Sequence, residues 1–412
     1  MTSRNTQCRA RAAALALAPA ILLVAGCLDT GGQDQPGTEP TGTGAVTDDP
    51  SPQELAEGRT TFRFETFGNE AFWTDTARMH EVIERSVSPA LALEVGLKLD
   101  ADALPADVAK AIRAGQVDLA SPATTVTLLK LDAVVGLKGT VRTVDGRDQL
   151  VELGVTCALC HSSVDDSFSP GIGRRMDGWP NGDLDIGAII ALSPAMTPEQ
   201  KAVYSSWGPG KYDPRYNLDG QSTPLVLPPA YGLADVDNVT FTADGPMSYW
   251  NAYVAVTQMH GLGRFTDERL SVDVLNSPDR VGPKLAALRA YQHSLETPRA
   301  PSGSVDLAAA ERGRTTFDDN CVRCHVNGTG TDNNAGALHA AAETGMDAAY
   351  ALRTVNRMYR TTPLRALWQH PPYFHDGSAE ALADVVEHYD RVLTLRMTAL
   401  QRLDLVEYLK TL

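Results

Sequence analysis

The sequence lacks several features that would point to common classes of protein. Positive charge is in the minority, with 36 Lys and Arg against 51 Asp and Glu in 412 residues, which argues against a nucleic-acid-binding protein and its basic surface. Glycine (34) and proline (25) are not in excess, so wholesale disorder and fibrous repeats are excluded. What the chain does have is 43% hydrophobic residues, enough for two or three domain cores.

The N-terminus has the pattern of an export signal. Three arginines and no acidic residue precede the apolar run 12–25, which is too short and too rich in small residues to span a bilayer. The run ends in Val24–Cys27, which resembles the lipobox of bacterial lipoproteins; an ordinary signal peptide with a chance cysteine is the alternative. We predict a signal peptide over 1–26, a lipidated Cys27 and an unfolded tether over 27–52. The chain would then be lipid-anchored in the cell envelope, facing the periplasm or the outer membrane.

Four of the six cysteines form two identical C-x-x-C-H patterns, Cys157–His161 and Cys321–His325. In c-type haem attachment the two thiols form thioether bonds with the porphyrin vinyl groups, and the adjacent histidine ligates the iron. A thioredoxin-type pair needs no histidine, and a four-cysteine zinc site would have to join pairs far apart in the chain. The sequence therefore predicts two covalently bound haems c. The predicted attachment residues and iron ligands are Cys157, Cys160, His161, Cys321, Cys324 and His325.

The second motif stands in a helical frame. Ser304 or Asp306 can cap a helix over 307–317 that leads into the motif. Apolar residues at three-residue steps predict a C-terminal helix over 400–409. This frame resembles one cytochrome c domain over 304–412, in which such helices cross.

A short repeat indicates that this domain is duplicated. Gly58–Phe62 is identical to Gly313–Phe317, although a chance five-residue repeat is the alternative. The second haem motif starts four residues after Phe317, the end of the second copy of the repeat. The first haem motif starts 95 residues after Phe62, the end of the first copy. We therefore predict a first haem domain over 53–300, with an insertion at about 63–155 that is mostly helical, with helices over 76–85 and 105–114, and includes a hairpin around Asp145. The predicted fold class is mainly α, with two cytochrome c-like haem domains in tandem.

The last 110 residues or so resemble the bacterial dihaem cytochrome c peroxidase superfamily, including its MauG-type members and, more distantly, the rubber-oxygenase type. The runs Tyr359–Arg365 and Pro372–Ser378, followed by Leu382–Val386, carry this resemblance. It implies that Arg365 lies near haem propionates, and that Tyr389 stands where family members place a methionine or tyrosine as the sixth iron ligand.

Several of these positions have alternatives. His388 or Met397 could replace Tyr389 as the ligand, and Tyr389 could instead be a packed aromatic on a helix. We expect His375 to be a buried hydrogen-bond anchor rather than a ligand.

Candidates in the first half come from a predicted helix over 248–260. Trp250 is the candidate for an aromatic residue between the haems, against simple core packing, although the family's Trp-Asp-Gly-Arg segment is absent. His260 is a candidate distal ligand of the first iron, against a satisfied core or surface histidine. Glu268 lies in the range of the family's acidic catalytic residue without a secure match.

Three functions follow from these features. The favoured one is a peroxidase-like oxidoreductase that passes electrons from the C-terminal haem to a reactive N-terminal haem, with peroxide as substrate. The first alternative is a dihaem cytochrome that only transfers electrons; the second is an oxygenase or a protein-oxidising enzyme of the MauG type. The expected partners are a redox donor protein or small cytochrome and, through the lipid, a membrane; no nucleic acid is expected.

Overall fold

Helices make up most of the regular structure in the computed structural model, which describes residues 49–412. The α-helices of this part are α1 Pro52–Phe64, α2 Met79–Ser86, α3 Pro89–Glu94, α4 Ala106–Arg113, α5 Pro122–Lys130, α6 Ala158–His161, α7 Ile186–Ala191, α8 Pro198–Tyr204, α9 Tyr216–Asp219, α10 Met247–Tyr253, α11 Leu285–His293, α12 Leu307–Asn320, α13 Ala341–Thr344, α14 Leu382–Val392 and α15 Ala399–Leu409. None of these helices is long and apolar enough to cross a membrane. The mainly helical fold class is thus confirmed.

Short strands form separate two-stranded sheets among the described residues. The strands are β1 Leu99–Asp100, β2 Leu137–Val144, β3 Arg147–Val155, β4 Ser162–Val164, β5 Ile172–Gly173, β6 Arg175–Asp177, β7 Lys211–Tyr212, β8 Leu225–Val226, β9 Arg264–Asp267 and β10 Val272–Leu275. β1 pairs with β5 in parallel, whereas β2–β3, β4–β6, β7–β8 and β9–β10 are antiparallel. The predicted signal peptide, Cys27 and nearly all of the tether lie outside the described residues.

Helix α1 begins at a capped proline and crosses α11 at a glycine. The Ser51 hydroxyl accepts a hydrogen bond from the backbone of Glu54, which satisfies one of the free donors at the helix start. A Cβ atom on Gly58 would overlap the carbonyl oxygen of Ala287 on α11, so the two backbones approach this closely only with glycine. One turn later, the ring of Phe62 lies 5.7 Å from that of Tyr291 at 59°.

Helix α12 repeats this arrangement against α15. The Asp306 carboxylate caps the helix start by accepting from two backbone N–H groups. A Cβ atom on Gly313 would overlap the carbonyl oxygen of Asp404, and the ring of Phe317 lies 5.1 Å from that of Tyr408 at 56°. Glycine and phenylalanine of the repeated sequence therefore make equivalent contacts in both halves, each with an aromatic residue four positions after the residue that the glycine meets.

The segment between α1 and the first haem motif holds α2 to α5 and a long hairpin. The helices predicted over 76–85 and 105–114 are present as α2 and α4. The hairpin of β2 and β3 turns at Asp145–Gly146, as predicted, and both residues have positive φ. Gly136 at the base of this hairpin packs directly on Leu159, one of the two residues between the cysteines of the first motif. The base of the hairpin therefore packs against that motif.

The buried side chains form separate hydrophobic clusters. One in the first half contains Phe62, Trp250 and Tyr253, and a second fills the inserted segment. The third lies in the C-terminal region and joins Phe317 to Met397. Both haem motifs lie at the edges of these clusters, with their cysteines half-buried.

Candidate haem-binding sites

The first motif is a single helical turn that follows strand β3. Burial raises the pKa of both Cys157 and Cys160 to about 12, so both thiols are protonated at neutral pH. Nδ1 of His161 donates to the carbonyl oxygen of Pro228 at 3.2 Å, which fixes the ring and leaves Nε2 for a metal. Burial lowers the pKa of His161 to about 4, which keeps the imidazole in its neutral, metal-ligating form.

The second motif begins at the end of α12 and has the same arrangement. Its backbone continues the helix, since the amide of Cys321 donates to Phe317 at 2.7 Å. Nδ1 of His325 donates to the carbonyl oxygen of Gly330 at 3.2 Å. Burial raises the pKa of Cys321 to about 11 and lowers that of His325.

These donor sets fit haem c. Each site offers two unpaired thiols and one neutral imidazole whose second nitrogen is already held by a carbonyl group. A competing group in the described residues is Cys324, Asp332 and His339, whose ligand atoms lie within 4.8 Å of one another. That group leaves Cys321 unused and takes the thiol that haem attachment requires. The haem assignment uses all the residues of the motif.

The three candidates for the sixth ligand of the C-terminal iron have different environments. Tyr389 on α14 is half-buried, and this burial raises its pKa to about 12, with smaller contributions from Cys321 and Cys324. Nε2 of His388 instead donates to the carbonyl oxygen of Thr344 at 2.8 Å. Met397 is buried in the cluster that also touches Cys321. Tyr389 and Met397 thus lie on the motif's side of the domain, and all three residues stay predictions as ligands.

His260 has an unusual backbone and an aromatic neighbour. The predicted helix over 248–260 is α10 followed by a π-helical segment, Val254–Gln258, and His260 then adopts a positive φ of 62°. Its ring stacks on Phe72 at 3.5 Å, and Phe72 opens a second π-helical segment. Such segments and strained residues are frequent at functional sites. Burial lowers the pKa of His260 to about 4, so its ring is neutral.

The aromatic contact between the two halves involves residues that the sequence did not single out. Trp250 lies in the first-half core against Tyr253, with a ring separation of 5.1 Å. Trp179 contacts Trp368 at 5.9 Å and 80°. The amide of Gly178, next to Trp179, donates to the carbonyl oxygen of His161 at 2.8 Å. Trp179 and Trp368 thus connect the first motif with the C-terminal region.

Two further candidates have surroundings that sequence reasoning did not anticipate. Glu268 is exposed in a short turn between β9 and β10. Arg365 is already paired: its guanidinium lies 3.0 Å from Asp235 and donates to the carbonyl oxygen of Thr329 at 2.8 Å. His375, in contrast, is the buried anchor that was expected, because its Nε2 lies 2.9 Å from the Tyr359 hydroxyl.

Comparisons with known proteins found the following similarities. Residues 310–412 match the family model for cytochrome c. The methylamine utilization protein MauG of Methylorubrum extorquens is 23% identical over 285 residues, covering 63% of this chain and 72% of that protein. A solved structure of hydrazine synthase from Kuenenia stuttgartiensis covers 46% of this chain and 73% of its own, at 19% identity and a TM-score of 0.32.

The C-terminal region is therefore a cytochrome c domain, and its cofactor is covalently bound haem c. The resemblance found in the sequence motifs is confirmed: the chain is similar to MauG over 63% of its length, and residues 310–412 match cytochrome c.

Proposed function

We propose that this haem-dependent oxidoreductase is a dihaem, peroxidase-like enzyme, in which electrons enter at the C-terminal motif and peroxide is reduced at the N-terminal motif. The bound irons would supply the redox chemistry, in which two electrons and two protons convert hydrogen peroxide to two waters. The electrons would come from a redox donor protein or small cytochrome.

The observation that carries a second haem domain is the repeated helix crossing. Gly58 on α1 and Gly313 on α12 both admit a partner backbone at a distance that any other residue would block. Both histidines that follow the motifs donate through Nδ1 to a backbone carbonyl group at 3.2 Å. Since the same sequence makes the same contacts beside the same motif, we assign a haem to each half.

We propose Trp179 and Trp368 as the aromatic bridge between the halves, in place of Trp250. Trp368 follows Leu367, which packs in the same cluster as Cys321. Trp179 also contacts Tyr231 at 6.2 Å, and the Tyr231 hydroxyl accepts a hydrogen bond from Gln369. These contacts hold the two indole rings across the boundary between the halves.

Polar groups near the first motif can bind a small polar substrate. The Tyr212 hydroxyl donates to Oε1 of Gln258 at 2.8 Å, and Nε2 of Gln258 donates to Asn217 at 3.2 Å. Burial raises the pKa of Tyr212, and nearby Cys160 contributes in the same direction. Tyr212 therefore keeps its proton at neutral pH and donates it to Gln258, which leaves its hydroxyl oxygen free to accept a hydrogen bond from peroxide.

A MauG-type oxidation of a protein substrate is the second candidate, because the MauG protein matches over most of its length. An assay that contains hydrogen peroxide and a reduced donor cytochrome, but no other protein, distinguishes the peroxidase from the MauG-type enzyme. A peroxidase consumes both in this assay, because it needs no protein substrate. A protein that only transfers electrons neither consumes peroxide nor oxidises a protein substrate.

Haem counting and turnover test the proposal together. Two variants, Cys157→Ser/Cys160→Ser and Cys321→Ser/Cys324→Ser, should each retain one covalent haem by pyridine haemochrome assay, against two in the wild type. Both should lose peroxide-dependent oxidation of a reduced donor cytochrome. Two haems surviving in either variant, or a wild type with one haem, would contradict the proposal.

A further inference from the structure

A buried arginine in the C-terminal region has no counter-charge among residues 49–412. Arg360 is 8% exposed, and its Nη1 has no hydrogen-bond partner among the described residues. Its Nε donates to the carbonyl oxygen of Thr240, and its backbone amide donates to that of Phe241 at 3.0 Å. Every carbonyl contact leaves the positive charge uncompensated, and an unpaired buried charge is strongly destabilising.

A second unpaired donor lies at the same place. The Oγ1 atom of Thr240 is buried and also has no partner among the described residues. Thr240 has a positive φ of 65°, which is strained for a β-branched residue. Two unpaired donors, one on a guanidinium and one on a hydroxyl group, therefore belong to two residues that a hydrogen bond joins, and a carboxylate can accept from donors of both kinds.

The chain around Arg360 leads directly to the second haem motif. The carbonyl oxygen of the next residue, Thr361, accepts from the Thr331 hydroxyl at 2.6 Å. Thr331 follows Gly330, whose carbonyl group holds the ring of His325. Haem carries two propionate carboxylates. A haem bound at the second motif would bring these anionic groups to the region around Arg360.

We propose that Arg360, with Thr240, binds a propionate of the haem attached at Cys321 and Cys324. Arg365 has its own carboxylate partner in Asp235, whereas Arg360 has none. The inference rests on the haem binding proposed above. Because Thr240 belongs to the first half of the chain and Arg360 to the C-terminal region, the propionate would also join the two halves.

The test compares the midpoint potentials of the two haems in four proteins: the wild type, Arg360→Gln, Thr240→Val and Arg314→Gln. Loss of the Arg360 charge should lower the potential of the C-terminal haem, because a nearby cation favours the reduced iron, and should leave the other potential unchanged. Thr240→Val removes only a hydroxyl group and should shift the propionate bending band in the resonance Raman spectrum. Arg314→Gln removes the same charge from an exposed position on α12 and should change neither signal.

The outcomes separate the inference from the proposed function. A wild type without haem at the C-terminal motif would overturn both. The inference alone would be overturned if Arg360→Gln holds two haems and the potential of its C-terminal haem is unchanged. If Arg360→Gln does not fold, an unchanged Raman band in Thr240→Val would overturn it. The carboxylate bound by Arg360 could instead come from a soluble anion. If the potential of the wild-type C-terminal haem depends on acetate concentration at constant ionic strength, the propionate assignment is overturned.

Discussion

Tyr389 is the side chain that would most change the chemistry of the C-terminal motif. A phenolate ligand lowers the reduction potential of haem iron, whereas methionine raises it. The side chain is half-buried near Cys321 and Cys324, and this burial keeps the phenol protonated in the absence of a metal. Binding to iron would therefore have to displace its proton.

Replacing Tyr389 by Phe should change the optical and electron-spin spectra of one haem without unfolding the protein. The substitution removes a single oxygen atom, so packing is kept while a ligand is lost. The matched control is Tyr408→Phe, at the ring that contacts Phe317, which should leave both haem spectra unchanged. Identical spectra of Tyr389→Phe and the wild type would show that Tyr389 is a packed aromatic and would favour Met397.

His375 should make stability depend on pH. The Tyr359 hydroxyl donates to the carbonyl oxygen of Asp347 at 2.7 Å, so Nε2 of His375 must donate to the hydroxyl oxygen. Protonation would place a second proton on a buried ring, and burial lowers the pKa of His375 in the folded state. The unfolded chain then binds more protons below about pH 6.5, so this contribution is present above that pH and is lost as the pH falls.

Urea unfolding at pH 7.5 and pH 5.5 measures this effect. The wild-type free energy of unfolding should fall between these values, and His375→Gln, which keeps an N–H donor, should show a smaller fall. Equal falls in the two proteins would contradict the assignment.

At the scale of single residues, functional side chains were predictable where the groups that act together are close in the sequence. Both C-x-x-C-H motifs could be found because thiols and imidazole must stand at fixed spacing. Trp179, Trp368 and Arg360 could not, since an aromatic contact between halves or an unpaired guanidinium depends on residues far away in the chain.

At the scale of elements, the two glycine crossings determine how closely the paired helices approach. Gly58→Ala and Gly313→Ala should each lower the free energy of unfolding by at least about 1–3 kcal/mol, because the added methyl group meets backbone that cannot move aside. Gly182→Ala is the control: its added Cβ meets nothing within 4 Å, and its φ is not positive. Thermal unfolding measures all three, and equal melting temperatures in Gly58→Ala and Gly182→Ala would contradict the close crossing.

Helices in this chain were predictable where caps and periodicity agree. Asp306 caps α12 as expected, and α12 continues to Asn320, three residues past the predicted end, because the helix runs straight into the haem motif. The predicted helix over 248–260 instead becomes π-helical at Val254. This change was not predictable, because the contact between Phe72 and His260 is a tertiary feature that leaves no periodic pattern in the sequence.

At the scale of the whole molecule, the predicted export signal and lipid anchor would determine where the protein acts. Replacing Cys27 by Ala should move the protein from the membrane fraction to the soluble fraction, because the lipid is attached at this residue in the prediction. Haem content should be unchanged, since covalent attachment depends on the motifs and on export, not on the anchor. A variant that stays with the membrane would contradict the lipoprotein assignment.

In the function proposed above, two haem sites of unequal reactivity share one chain. Optical and electron-spin spectroscopy of the half-reduced protein, before and after peroxide, tests this arrangement. We expect one high-spin ferric haem that reacts with peroxide while the other, reduced haem is reoxidised. Two low-spin haems in both redox states, unchanged by peroxide, would contradict it and make the protein an electron carrier.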